Sequence, residues 1–151
     1  MGHADQYLLC HVGAHVCAVP LACVVETMRP GPVEPLNGTP AFVLGAAVVR
    51  GEAVPVIDVA GLLGLGALTA TRFITIRGSE GVAALATGDV LGVHTLAPEL
   101  LGRTPPLLKE IADGAVTRFS SLDAQLLLVL EASRLVPAEA WNLLHVAEVA
   151  R

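Results

Sequence analysis

The chain has 151 residues, 54% of them apolar and 15% charged, with a formal net charge of −5. That length suits one globular domain or two small subdomains around a shared core, and so much apolar side chain excludes a disordered polymer. The acidic balance, with one Trp, one Tyr and three Phe, excludes a basic stripe or stacking platform for nucleic acid.

The apolar runs from Ala41 to Val49 and from Ala53 to Leu68 are interrupted by Arg50 and Asp58, so neither makes the roughly 18-residue stretch of a membrane span. Met1 to Gln6 lacks the basic start of a secretory signal. A cytoplasmic location without membrane insertion is expected.

Tyr7 to Val12 and Val16 to Val19 read as two strands around a Gly13-Ala14-His15 turn. Cys10, Cys17 and Cys23 are odd in number and clustered near the start, which argues against a disulfide framework. With His11 and His15 they raise the alternative of a small metal- or ligand-binding barrel using Cys10, His11, His15 and Cys17. A closed zinc site, however, brings ligands in closely spaced pairs. Side chains alternate across a strand, so buried cysteines serving as small apolar residues fit the pattern better. No metal or cofactor is expected.

Further along, Pro30 to Pro40 carries four prolines and Asn37-Gly38 and reads as a crossing loop. Val48 to Val54 is a hairpin in which Gly51 can supply a positive φ and Arg50 sits at or just before the tip. The glycines from Gly61 to Gly66 resemble a dinucleotide fingerprint only loosely, and no βαβ context surrounds them; a short apolar turn after a strand is expected. Pro98 to Pro106 reads as a second connection and Leu107 to Ile111 as a short helix or link. Residues 138–150 form the one clear helix. Its wheel places Asn142, His145 and Glu148 on one side and Ala140, Leu143, Leu144, Val146, Ala147 and Ala150 on the other, with Trp141 and Val149 at the edges of the polar side. Covering the core is the expected role of such a helix.

A long internal repeat organises these elements. Tyr7 to Val24 lies without gaps on Phe73 to Val90, and Pro55-Val56-Ile57-Asp58 with Leu62-Leu63 is similar to Leu128-Val129-Leu130-Glu131 with Leu135-Val136. Each half thus holds about five short strands, a spacing that suggests small sheets or barrels.

The stretch from Thr39 to Gly45, followed by Arg50-Gly51 and by Val54-Pro55-Val56-Ile57-Asp58, resembles the chemotaxis coupling protein family, CheW. Val24-Val25-Glu26 upstream, and Phe73 to Val93 with Leu126 to Glu131 downstream, extend the resemblance over residues 6 to 136. It implies a mainly β fold of two small five-stranded, SH3-like barrels, here subdomains at about 6–68 and 72–136 of one domain spanning 1–151, followed by the helix. It also implies a non-enzymatic adaptor at membrane-associated receptor arrays. Such an adaptor joins the cytoplasmic tip of methyl-accepting chemoreceptors to the regulatory domain of a CheA-type histidine kinase.

Carried over by position, Arg50 would make a polar partner contact, Gly45 and Gly51 would shape the backbone beside it, and Val24, Glu26 and Val48 would border the same surface. Taken alone, Arg50 would be a solvated hairpin charge, and Glu26 and Asp58 ordinary strand-end carboxylates. Val48 stands where the family usually has Asn, Val59-Ala60 where an Arg often follows, and Thr87-Gly88 in place of a Val-Asp pair. These departures leave open a specialised paralogue serving a different partner in a surface-motility pathway. No nucleophile elbow, phosphate loop or zinc-protease helix is present, so no enzyme is expected.

Overall fold

The computed structural model describes residues 5–96, 102–103, 116–122 and 125–149. The chain is mainly β, and the strands form two sheets. The first repeat supplies β1 (Asp5–Val12), β2 (His15–Pro20), β3 (Val24–Met28), β4 (Val43–Val49) and β5 (Glu52–Asp58). The second supplies β6 (Arg72–Gly78), β7 (Gly81–Thr87), β8 (Val90–Leu96), a two-residue β9 (Gly102–Arg103), β10 (Val116–Leu122) and β11 (Gln125–Leu130). Two helices, α1 (Val59–Leu63) and α2 (Ala138–Val149), complete the described elements with short 3-10 turns at Leu21–Cys23 and Ala132–Arg134.

The sheets do not divide the chain near residue 70. One sheet runs β8-β1-β2-β11-β10-β9 and the other β3-β6-β7-β5-β4. The expected subdomains at 6–68 and 72–136 therefore correspond to the repeats, and neither repeat forms a sheet by itself. Each hairpin β1–β2 and β6–β7 sits at the centre of a sheet whose outer strands come from the other repeat. The equivalence extends to register: Val24 pairs with Ile76 and Met28 with Phe73, as Val90 pairs with Cys10 and His94 with Tyr7. Parallel pairing of β5 with β7 places Val56 beside Ala84, as pairing of β11 with β2 places Val129 beside Ala18.

Connection length explains the exchange. A third strand antiparallel to β1 would run in the same direction as β2, and such a return needs a crossover of about a dozen residues. Leu21–Cys23 offers three residues between β2 and β3, and Gly88-Asp89 offers two between β7 and β8. Connections this short cannot carry the third strand back alongside β1 or β6, and in the structure each third strand pairs in the other sheet.

This arrangement also accounts for the apolar excess. One face of each sheet meets a central core that includes Leu8, Cys10, Cys17, Val19, Ile57, Ile74, Leu85 and Leu128. The opposite faces bury their own smaller clusters, around Tyr7, Leu9 and Val129 in one sheet and around Val56, Phe73 and Ala84 in the other. The central strands are thus buried on both faces, which favours continuous rather than alternating apolar runs.

Among the described residues no pairing joins the outer strands of either sheet, so in place of two closed five-stranded barrels the strands form open sheets of six and five strands. The glycines after β5 terminate a helix instead of binding a nucleotide: α1 ends at Gly64, in the left-handed conformation with φ 69°, and the Leu65 N–H donates to the Ala60 carbonyl at 2.8 Å. This is a common helix stop.

Helix α2 covers the core, with one correction to its expected face. Ala140 and Leu144 are buried and Trp141 packs against the central core, whereas Leu143 is exposed. Pro137, Ala140, Trp141 and Leu144 follow the i, i+3, i+4, i+7 spacing of a helical stripe, and the ring of Trp141 lies over Gly81. The connection expected at Pro98 to Pro106 falls outside the described residues apart from β9, and the link at Leu107 to Ile111 falls outside them entirely.

Candidate functional site

The candidate site lies where the outer strands β3 and β4 of the five-stranded sheet face each other. The β4–β5 hairpin turns through Arg50 and Gly51, both with positive φ, 53° and 80°, between the paired residues Val49 and Glu52. This is the requirement of a tight type I′ turn, whose first central position usually holds Asn, Asp or Gly. Gly51 was expected at such a φ; the left-handed backbone of Arg50 was not.

From that turn the Arg50 guanidinium forms a fork with the Glu26 carboxylate on β3. Nε donates to Oε2 at 3.0 Å and a terminal nitrogen donates to Oε1 at 2.8 Å. Two parallel charge-assisted bonds fix orientation as well as distance. The pairing holds the Glu26 carboxyl below its ordinary value and pushes the Arg50 guanidinium up. The side chain of Arg50 remains 78% exposed, so the pair joins two strand edges that no backbone hydrogen bond connects while one of its members faces solvent.

Glu26 is held at its own end by Thr75, a residue the sequence reading passed over. Thr75 is fully buried on β6. Its hydroxyl accepts from the Glu26 N–H at 3.1 Å and donates to the Glu26 carbonyl at 3.2 Å, satisfying the backbone where the β3–β6 register shifts between Val24 and Glu26. One signal was available. In the aligned strands Tyr7-Leu8-Leu9-Cys10 and Phe73-Ile74-Thr75-Ile76, Thr75 replaces Leu9.

Gly45 shapes the other side. It sits at the irregularity of β4 with φ 144°, and a Cβ there would run into the Glu34 carbonyl and lie 2.9 Å from the Pro35 Cα. The absent side chain lets the proline-rich loop bridge to β4. The Glu34 N–H donates to the Ala46 carbonyl and the Ala46 N–H donates to the Glu34 carbonyl, each at 2.8 Å. Between this loop, β3 and β4 lies a groove of about 290 Å³, lined by Met28, Arg29, Ala47, Val48, Val49 and Phe73 among others. Val48 is 75% exposed at its margin.

The structure therefore brings Glu26, Val48, Arg50 and Gly51 to one edge, with Gly45 beneath the adjoining loop. Val24 is placed differently: it is half-buried and packs against the central core. Thr87 and Gly88 also have a packing role. Thr87 is fully buried, and a Cβ on Gly88 would come within 2.9 Å of the His11 carbonyl, where the Gly88 N–H donates at 2.8 Å.

The cysteine–histidine cluster does not assemble into a metal site. Cys10 and Cys17 pair across β1 and β2 and are buried in the central core, while strand alternation turns His11 to the opposite face from Cys10. Burial pushes the Cys10 thiol up to about 12 and the Cys17 and Cys23 thiols up as well, as expected of unreactive core cysteines. Among the described residues no group of three or more His, Cys, Asp or Glu is placed to hold a metal ion. No described helix is long and apolar enough to cross a membrane.

Comparison with known proteins agrees with this architecture. Residues 6–140 match the CheW-like domain. The chain is 35% identical over 97 residues to Protein FrzA of Myxococcus xanthus, covering 61% of this chain and 60% of that relative's length. The fold is similar to the crystal structure of the scaffolding protein TtCheW from Thermoanaerobacter tengcongensis, with a TM-score of 0.75 at 19% identity over 85% of this chain and 90% of the other. With the two-sheet fold and the family match over nearly its whole length, the chain belongs to the CheW-like domain family.

Proposed function

We propose that this chain is an adaptor that couples the cytoplasmic tip of a methyl-accepting chemoreceptor to the regulatory domain of a CheA-type histidine kinase, in the cytoplasm at membrane-associated receptor arrays. The edge carrying Glu26, Val48, Arg50 and Gly51, with Gly45 fixing its loop, is the partner-binding face, and Val24 supports it from the core. The observation that carries this reading is the exposed Val48 beside an apolar groove, at the end of which a forked ion pair holds a guanidinium in fixed orientation. A fixed charge beside a small apolar recess supplies register and contact area to a partner and needs no chemistry of its own.

An adaptor transmits a receptor state only if it binds the two states differently. A face rigidified at both ends can discriminate them by shape. The similarity to Protein FrzA and the apolar Val48 at the position where Asn is usual favour a coupling protein dedicated to its own receptor or kinase, in a surface-motility pathway, over a general one.

The test is binding of the purified chain to a receptor-tip fragment and to a CheA regulatory domain, measured by calorimetry. Affinity of tens of micromolar is expected for one or both, about 6 kcal/mol, with at least a tenfold loss in Val48→Glu and Arg50→Glu. Absence of binding to both fragments at that concentration overturns the coupling reading.

A further inference from the structure

Every pairing that assembles the sheets from their hairpins joins one repeat to the other. Within a repeat, β1 pairs with β2, β4 with β5, β6 with β7, and β10 with β11 and β9. The pairings β1–β8, β2–β11, β3–β6 and β5–β7 all cross between repeats. Remove the second repeat, and the first is left as two separate two-stranded hairpins and a lone third strand. Such hairpins are marginal in water by themselves.

The core is divided in the same way. The central cluster takes Leu8, Cys17 and Ile57 from one repeat and Ile74, Leu85 and Leu128 from the other. The outer cluster around Phe73 and Ala84 is completed by Ala47, Val54 and Val56 of the first repeat. Each half would expose these faces without its complement.

The covalent connection between the halves is slight. From Gly64 to Thr71 the chain has no regular structure. Gly66 and Ala67 are exposed, and a Cβ at Gly66 would meet nothing within 4 Å. Leu65 and Leu68 pack against the central core and Ala70 against the outer cluster of the five-stranded sheet, and the linker adds an effective concentration on the order of millimolar.

We propose that the chain consists of two complementary binding modules, residues up to Leu63 and residues from Arg72 onward, and that the partner each fits is the other half of this chain, whether from the same copy or from a second copy. At micromolar protein the linker makes each half find its own complement. Once the linker is opened, the halves stay bound, and after unfolding they re-pair with complements from other copies. This inference rests on strand pairing and the division of the core, and stands or falls independently of the receptor–kinase reading.

The test begins with the full chain carrying a specific protease site inserted between Gly66 and Ala67, and a second version with the site between Thr69 and Ala70 in case the first disturbs Leu65 or Leu68. After cleavage of the folded protein, the two pieces are expected to co-elute in gel filtration at the volume of the uncut chain and to separate only in denaturant. Two cleaved preparations bearing different affinity tags, mixed, denatured and refolded together, are expected to yield mixed and parental complexes in equal amounts. Either piece refolded alone is expected to show no cooperative unfolding transition. The proposal is overturned if the cleaved halves separate at tens of micromolar, if refolding yields no mixed complexes, or if one half folds cooperatively without the other.

Discussion

Replacing Gly45 with alanine tests whether the proline-rich loop is held against β4 by the close approach that only glycine permits. The new methyl group would meet the Glu34 carbonyl carbon at 2.6 Å and the Pro35 Cα at 2.9 Å. These are backbone atoms with no rotamer to escape into, so the loop must move. Moving it breaks the two reciprocal bonds between Glu34 and Ala46, each about 1 kcal/mol net. The residue must also hold φ 144°, at roughly 1–3 kcal/mol for a side chain other than glycine. The stiffer unfolded chain returns about 0.4–1 kcal/mol, leaving a net loss of about 2–4 kcal/mol. For a chain of this size that lowers Tm by about 5–15 °C.

Gly51→Ala separates the two causes. Gly51 also has positive φ, 80°, but a Cβ there meets nothing within 4 Å, so only the backbone cost applies, on the order of 1 kcal/mol. Urea denaturation of both variants, with unchanged m-values, gives the comparison. If Gly45→Ala costs no more than Gly51→Ala, the loop is not pinned as the geometry indicates, and the account of the groove fails.

Four further outcomes are expected. Reversing the ion pair as Glu26→Arg with Arg50→Glu should recover the thermal stability lost in Arg50→Glu alone while partner binding stays impaired. Because Arg50 holds the folded Glu26 carboxyl below its ordinary value near 4.5, the pair's contribution is complete above that value and disappears as pH falls through the lowered one. Acid melts of wild type and Glu26→Gln should therefore converge below it. Thr75→Val should cost about 1–3 kcal/mol, the penalty of a buried N–H left without an acceptor, and should weaken partner binding through the displaced Glu26; a neutral effect in urea would show that the hydroxyl is dispensable. Cys10 and Cys17 should resist thiol reagents at pH 8 until the chain is unfolded. Their folded thiols titrate above the ordinary 9.0, Cys10 near 12, so the stability linked to them is complete below pH 9 and is lost as pH rises through the folded values. Labelling of native protein at the rate of unfolded protein would contradict their placement in the core.

Much of the site was legible in part. Arg50-Gly51 announced a tight hairpin because few residues tolerate positive φ, and Glu26 carried the family pattern. Their forked pairing was not legible, since it depends on two outer strands facing each other across an edge, 24 residues apart in sequence. Thr75 stayed hidden because threonine is a common strand residue whose role comes only from the backbone opposite it. Trp141, which the wheel puts at the edge of the polar side, packs inward because its place in the stripe is decided by the Gly81 surface beneath it.

The sequence by itself determined the repeat, the strand-rich class, the turns and the family, because alternation, glycine and proline act within a few residues of chain. The tertiary structure alone decided which strands meet. The third strands beginning at Val24 and Val90 are equivalent by sequence, so pairing within a repeat and pairing between repeats satisfy the same apolar pattern. The two- and three-residue connections after β7 and β2 are too short to return alongside the first strand, and the structure places both third strands in the other sheet. That exchange buries the central strands on both faces, and it is there that a chain with 54% apolar residues places them.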